Sequence, residues 1–249
     1  MAKVFPKTTQ TTNTISSLQY SQSKTKDSRM KPPKDFAPTS PDIPSTDDLT
    51  PAQPTAIIND ADIDRAIISC NPPNPIRASS IVIEQSRIQA QSLLASTLPN
   101  IRITDAIFDR ADLMGATWTD ARLTRIQFND CKLTGFDARD SDLQDLHFTN
   151  CKAPDLFMLG ATLTRVRFDQ CQLPNLDLTG ATIKSLAIRD SGAQSLRLIN
   201  TRIDHLDLRG SIIDHIALDL TNPANLRNII ITPQQAPALA IALGVQISG

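Results

Sequence analysis

The sequence predicts an all-β chain wound into a parallel β-solenoid, and three observations carry that reading. Between Ala56 and Leu218 every fifth residue counted from Ile58 is apolar, with the single exception of Pro73. The residue two places before each of these central ones, here called the flanking residue, is usually small or apolar. From Ala121 onward the flanking residues alternate between small and large, as in Ala121, Ile126, Cys131, Phe136, Ser141 and Leu146. One short period held over most of a chain is the mark of a repeat architecture, in which each unit buries its apolar face only by stacking on its neighbours.

The elements follow in chain order. Residues 1–55 are rich in Pro, Ser, Thr, Lys and Asp and lack a hydrophobic period of either 2 or 3.6. Such a segment buries too little apolar area to offset its ordering entropy and is expected to be a disordered tail. From Met1 to Lys34 it carries seven basic side chains against the single acid Asp27, which suits a flexible basic tether. Residues 56–100 are expected to form an imperfect pair of coils with a bulging loop at Asn71–Pro75, because the five-residue register crosses that loop without losing phase. Clear repeats then run from Ile101 to Leu218.

Two of those repeats, Ala111-Asp112-Leu113-Met114-Gly115 and Ser141-Asp142-Leu143-Gln144-Asp145, resemble the A(D/N)LxX unit of the pentapeptide-repeat family. The resemblance covers about two thirds of the chain. It implies a right-handed quadrilateral parallel β-helix over residues 56–232, four pentads to a coil, with the central and flanking side chains pointing inward. Many pentads here carry Leu, Ile, Val or Phe at the flanking position instead of a small residue. An alternation with a period of ten gives two opposite faces large flanking residues and the other two small ones, so the cross-section should be rectangular.

Stacking once per coil of four pentads places Phe108, Phe128, Phe148 and Phe168 in one core column, at roughly the 4.8 Å inter-strand distance. Where Phe136 fills a flanking site, its central partner is the small Ala138, a volume exchange expected of a close-packed interior. Beyond Leu218, residues 228–232 read as a last strand and residues 233–249 as a C-terminal cap. The cap should hold a short helix over 233–244, with Thr232 as N-cap, Pro233 at N1 and Gly244 just past its end. Leu239 and Leu243 should then lie over the open end of the solenoid, and Val245–Ile247 should add a small edge strand.

Composition narrows the function classes. A net charge of −1 and a pI near 6.3 exert no global pull on nucleic acid or anionic lipid, so the solenoid is not expected to bind nucleic acid directly. There is no apolar run long enough for a membrane span and no apolar core of a secretory signal, which points to a cytoplasmic protein with no membrane contact. The four cysteines lack CxxC spacing, and Cys131, Cys151 and Cys171 stack on one face as small core fillers without a fourth ligand for a metal. His147, His205 and His215 fall at outward positions in different columns, none beside a nucleophile. With no P-loop, GxGxxG, HExxH or EF-hand pattern, the expectation is a non-enzymatic protein without cofactor or metal. Arg125, Asp145 and Arg165 share a corner column and should form an exposed ion ladder that sets register.

Two surface features remain. Residues 101–220 hold 17 Asp against 14 Arg and Lys, and Asp120 and Asp140 stack into a candidate acidic stripe. Some pentapeptide-repeat proteins resemble duplex DNA and inhibit type II topoisomerases, so the resemblance implies a DNA-mimicking modulator of gyrase as an alternative, though interspersed basic residues dilute the stripe. The second feature is apolar. Leu156-Phe157-Met158-Leu159 breaks the in/out alternation and should push Phe157 and Leu159 outward, with Ile199 two coils further along the Leu159 column. The preferred expectation is therefore a rigid scaffold that contacts a protein partner through Phe157, Leu159 and Ile199, as a monomer or weak homodimer.

Overall fold

The computed structural model describes residues 37–69, 72, 74–89, 93–219 and 223–246. Its strands pair in parallel in one 13-stranded and one 4-stranded sheet, and the chain is a parallel β-solenoid. Each coil advances the register by the same four-pentad step, so that Phe108, Phe128, Phe148 and Phe168 are backbone partners in succession. Four columns close each coil: one through Arg102, Arg122 and Asp142, one through the phenylalanines, and two joined by single bridges through Asp112 and Lys132 and through Thr117 and Asp137.

Corners explain the five-residue unit. Nearly every position whose number is a multiple of five from 80 to 170 has a positive φ, near 55° for Asp105, Arg125, Asp145 and Arg165. The chain turns there through the left-handed region, which Asn, Asp and Gly tolerate best. At Gly160, φ 66°, a Cβ would meet the exposed Asp140 carboxylate of the coil before, which would have to turn aside.

The central and flanking residues fill the core. Phenylalanine rings stack with centroids 4.8, 4.6 and 4.4 Å apart along the column, and Phe136 meets Trp118 edge-on at 5.2 Å. The small flanking residues also satisfy backbone groups. Ser141 Oγ accepts the Ala121 N–H at 3.0 Å and lies 3.2 Å from the Trp118 carbonyl it can donate to. Cys131, Cys151 and Cys171 repeat this pattern toward the carbonyls of Phe108, Phe128 and Phe148 at 3.3 to 3.5 Å. A backbone group buried at a corner would otherwise be left unpaired, which costs more than a modest hydrogen bond gains.

Several expectations change at the ends. Ile58 is 61% exposed, and Ile57 is buried in its place, so the inward register begins at Ile63. Residues 1–36 of the expected tail lie outside the described residues, but residues 37–55 pack on the solenoid. Thr50–Ala52 pairs with Ala66–Ile68, and Leu49 is buried. The tail boundary expected at residue 55 therefore falls inside the folded domain. Residues 37–55 bond to the coils through Thr39, Asp42 and Thr50 and to one another in the 3-10 turn Thr46–Asp48. Pro73 and part of the Asn71–Pro75 loop lie outside the described residues, while Ile67↔Arg87 keeps the coil-to-coil step across it.

At the other end Ile229–Ile230 pairs with Leu206–Asp207 as the last strand. Thr232 and Gln235 form a capping box around the 3-10 turn Pro233–Gln235, and the α-helix restarts at Ala236–Ala242, with Pro237 in its first turn. Gln235 is buried and donates to the carbonyls of Leu208 and Ser211 at 2.6 and 2.7 Å, pinning the cap to the last coil. Leu239 packs on the core and Leu243 is half-buried. Val245 and Gln246 form no strand, and Ile247 lies outside the described residues.

Candidate interaction surface

Phe157 sits in a column whose neighbouring coils carry Thr117, Asp137, Asp177 and Arg197. Asp137 and Asp177, its backbone partners in the coils on either side, each turn a carboxylate oxygen back to accept the N–H two places on, from Arg139 at 3.1 Å and Thr179 at 2.9 Å. Such a turn ties the polar side chain to its own corner. Phenylalanine has no atom to do so, and its ring stands out, leaving Phe157 38% exposed.

Phe157 and Leu159 line one shallow cavity of about 350 Å³ together with Asp137, Arg139 and Asp177. The expected outward placement of both is therefore met in one pocket. Ile199, half-buried two coils away, does not line it. Ion pairs border the depression, Arg139 on Asp137 at 2.7 Å and Arg197 on Asp177 at 3.6 Å. An apolar floor with a polar rim can hold an inserted apolar side chain and orient it by hydrogen bonds.

Asp120 and Asp140 are both exposed, with φ 56° each, and line a polar cavity of about 240 Å³ with Asn100, Arg102, Arg122 and Asp142. Their column continues as Gly160 and Gly180, so the acidic run ends at Asp140. Arg102 and Arg122 stand beside it.

The expected exposed ion ladder is different in kind. Asp105, which the pattern of charges had not included, accepts two hydrogen bonds from Arg125 at 2.6 Å each, and Asp145 accepts two from Arg165 at 2.6 Å each. The side chains of Asp105 and Asp145 are only 9% and 3% exposed. Burial pushes both carboxyls up, but the guanidinium hydrogen bonds, with backbone N–H groups from Asp42 and Thr39, outweigh it and hold both below the usual carboxylate range. Asp207, gripped by Arg209 and Arg189, is drawn down to about 2 against the same opposing burial. Only the folded chain reveals that residues 37–45 cover the corner and so bury the carboxylates.

The remaining reactive groups form no catalytic set among the described residues. Hydrogen bonding within the stack and burial push the Cys151 thiol up to about 12 and raise Cys171 as well, and a thiol held protonated is a poor nucleophile. Cys70 lies outside the described residues. His147 pairs with Asp169 at 2.7 Å on the surface. No group of His, Cys, Asp and Glu suited to a metal is present among the described residues, and none of their helices is long and apolar enough to cross a membrane.

Comparison with known proteins bears on the repeats. Solved structures of QnrB1, a plasmid-mediated fluoroquinolone resistance protein, are similar to this chain. Two trypsin-treated forms are each 16% identical, with TM-scores of 0.33 and 0.35, covering 77% and 80% of this chain and 99% and 100% of theirs. Full-length QnrB1 is 13% identical with a TM-score of 0.30, covering 79% of this chain and all of its own. No curated protein matches the sequence. Residues 121–198 match the family described as the pentapeptide repeat region, the stretch in which the small and large alternation and the coil-to-coil stacking both hold, so that this part of the chain carries the repeats of that family.

Proposed function

We propose that the solenoid is a non-enzymatic scaffold that docks a protein partner on the face bearing Phe157 and Leu159. The observation that carries this reading is a large aromatic ring held out of a rigid sheet, beside a second apolar residue and inside a charged rim. Coils that stack through a continuous core do not deform to hide such a ring, which leaves it available to another molecule. Central aromatic anchors surrounded by polar groups are typical of residues that dominate binding energy.

The alternative, a DNA-mimicking modulator of a type II topoisomerase, needs an unbroken negative face. Arg102 and Arg122 beside Asp120 and Asp140, with glycines continuing the column, argue against one. Two assays separate the readings. A photo-reactive residue at 157 should give one discrete protein adduct in cells, lost on Leu159→Ser, whereas the same probe at 120 should give none. Gyrase supercoiling should be inhibited weakly or not at all. Potent inhibition at stoichiometric concentration, abolished by Asp120→Lys and Asp140→Lys, would reverse the ranking.

A further inference from the structure

The chain before the first strand, Ala37–Ser45, crosses the coils instead of joining them. Thr39 N–H donates to Asp145 Oδ1 at 2.9 Å and Asp42 N–H donates to Asp105 Oδ1 at 2.9 Å. The same strand of chain thus touches two carboxylates two coils apart with donors three positions apart. Two inter-strand steps are roughly 9.6 Å, and three residues of polyproline II rise about 9.3 Å. The repeat of the peptide and the repeat of the ladder coincide.

The sequence of the segment has the same period. Pro38, Pro41 and Pro44 are spaced by three and are all half-buried, as is Ile43, while Thr39, Ser40 and Asp42 are exposed. Ser45, which ends the segment, has φ −59° and ψ 154°, within the polyproline II basin. Prolines thus pack one edge of the peptide on the corner, and the N–H after each of the first two points to an aspartate. The Asp42 carboxylate acts on Arg125, whose charged form it favours, and Gln85 Nε2 reaches the Asp42 carbonyl at 3.4 Å. Apart from the Asp42 carboxylate, each of these polar contacts uses peptide backbone, so the corner reads proline spacing and one acid rather than a long list of side chains.

We infer that the corner built by Gln85, Asp105, Arg125, Asp145 and Arg165 is a binding site for proline-rich polyproline II segments of the form Pro-x-x-Pro-Asp-x-Pro, and that Pro38–Pro44 is its resident occupant. The site is separate from the Phe157 face and does not depend on it. The occupant in trans is such a segment from a partner protein. A second copy of this chain offers an identical strap, which gains no contact over the tethered one and loses to its effective concentration. A partner with better-placed or more numerous repeats can displace the strap, and docking would then release the N-terminal segment.

The test uses the full-length chain and a labelled synthetic peptide spanning residues 37–47. In one full-length variant, Thr39→Pro and Asp42→Pro remove both strap donors while preserving polyproline II geometry and leaving the ladder intact. This variant should bind the peptide at least about tenfold more tightly than the wild-type chain, where the strap competes. The same peptide with its two donors replaced by proline, or with one residue inserted between the first two prolines, should lose about tenfold or more in affinity. On the wild-type chain, amide exchange should be slow at Thr39 and Asp42 and fast at Ser40. Failure of the variant to bind at millimolar peptide, equal binding of the donor-less peptide, or free exchange at Thr39 would each overturn the inference. Strap exchange between two differently labelled wild-type chains would assign the site to a second copy and overturn the partner reading.

Discussion

One corner column runs the length of the solenoid and changes character midway. Through Asp105, Arg125, Asp145 and Arg165 the corner residue is left-handed, and the strand continues unbroken through it, as in Arg122–Asn129 and Thr162–Asp169. In the next two coils the same column holds Ser185 and His205, neither with a positive φ, and the strand splits into Thr182–Ile183 with Leu186–Arg189, and Arg202–Ile203 with Leu206–Asp207. Core packing is alike in both regions, since Leu186, Ile188, Leu206 and Leu208 are fully buried. The difference is therefore one of corner chemistry. Paired carboxylate and guanidinium groups supply acceptors at a spacing a peptide can use, whereas the Ser185 hydroxyl is buried without a hydrogen-bond partner among the described residues.

The largest expected effect lies in the core that both regions share. Phe148→Asp places a carboxylate between the rings of Phe128 and Phe168 with no partner, a cost of roughly 4 kcal/mol or more. Loss of the cooperative thermal transition checks it, and an unchanged melting temperature would show that the column is not the core. Next, Asp145→Ala should destabilise the domain by roughly 2 to 4 kcal/mol, because it removes the two hydrogen bonds from Arg165 and the acceptor of the Thr39 N–H. Arg165 keeps a third of its side chain in solvent, which favours the lower end. The matching change two coils on, Ser185→Ala, removes a hydroxyl that bonds to nothing described and should be close to neutral in urea denaturation. Equal effects at the two positions would erase the contrast.

Acid sharpens the same comparison. Asp105, Asp145 and Asp207 all have folded pKa values below their unfolded ones, so each contributes stability that is present above about pH 4 and lost as the pH falls through its folded value. For Asp207, a shift from 3.8 to about 2 corresponds to roughly 2 kcal/mol. Urea midpoints should drop between about pH 4 and pH 2. Asp207→Asn should blunt that drop without loosening the strap, while amide exchange at Thr39 should accelerate over the same range only as Asp145 becomes protonated. The strap itself can be tested in the same way. Thr39→Pro should cost about 1.5 to 3 kcal/mol through the lost bond to a charged acceptor, and Ser40→Pro, one position on, should be neutral or slightly stabilising.

Much of this architecture was legible in the residues. A fifth-position rule needs no distant information, because each unit repeats the same local turn, and the volumes at the flanking positions report which faces are wide. Hence the Phe ladder, the Phe136 and Ala138 exchange, the Thr232 cap and the outward turn of Phe157 could all be placed in advance. The left-handed corners also had a signal that went unread, the recurrence of Asp, Asn and Gly at positions numbered in fives. Ile58 misled because its neighbour Ile57 takes the inward place, which turns Ile58 to solvent.

By itself the sequence determined the five-residue register and the identity of its core, since these depend on a periodic pattern repeated until it is unambiguous, whereas the four-pentad step was implied by the family resemblance and is fixed by the strand pairing. Tertiary structure alone decided how the Asp and Arg column pairs, that its carboxylates are buried, and that residues 37–45 lie across it. Contacts such as Thr39 to Asp145 and Asp42 to Asp105 join distant parts of the chain, and the five-residue register does not announce them. Their formation requires that coils distant in the chain already stand at a spacing set by hydrogen bonding between strands, and that spacing belongs to the folded solenoid rather than to any segment of it.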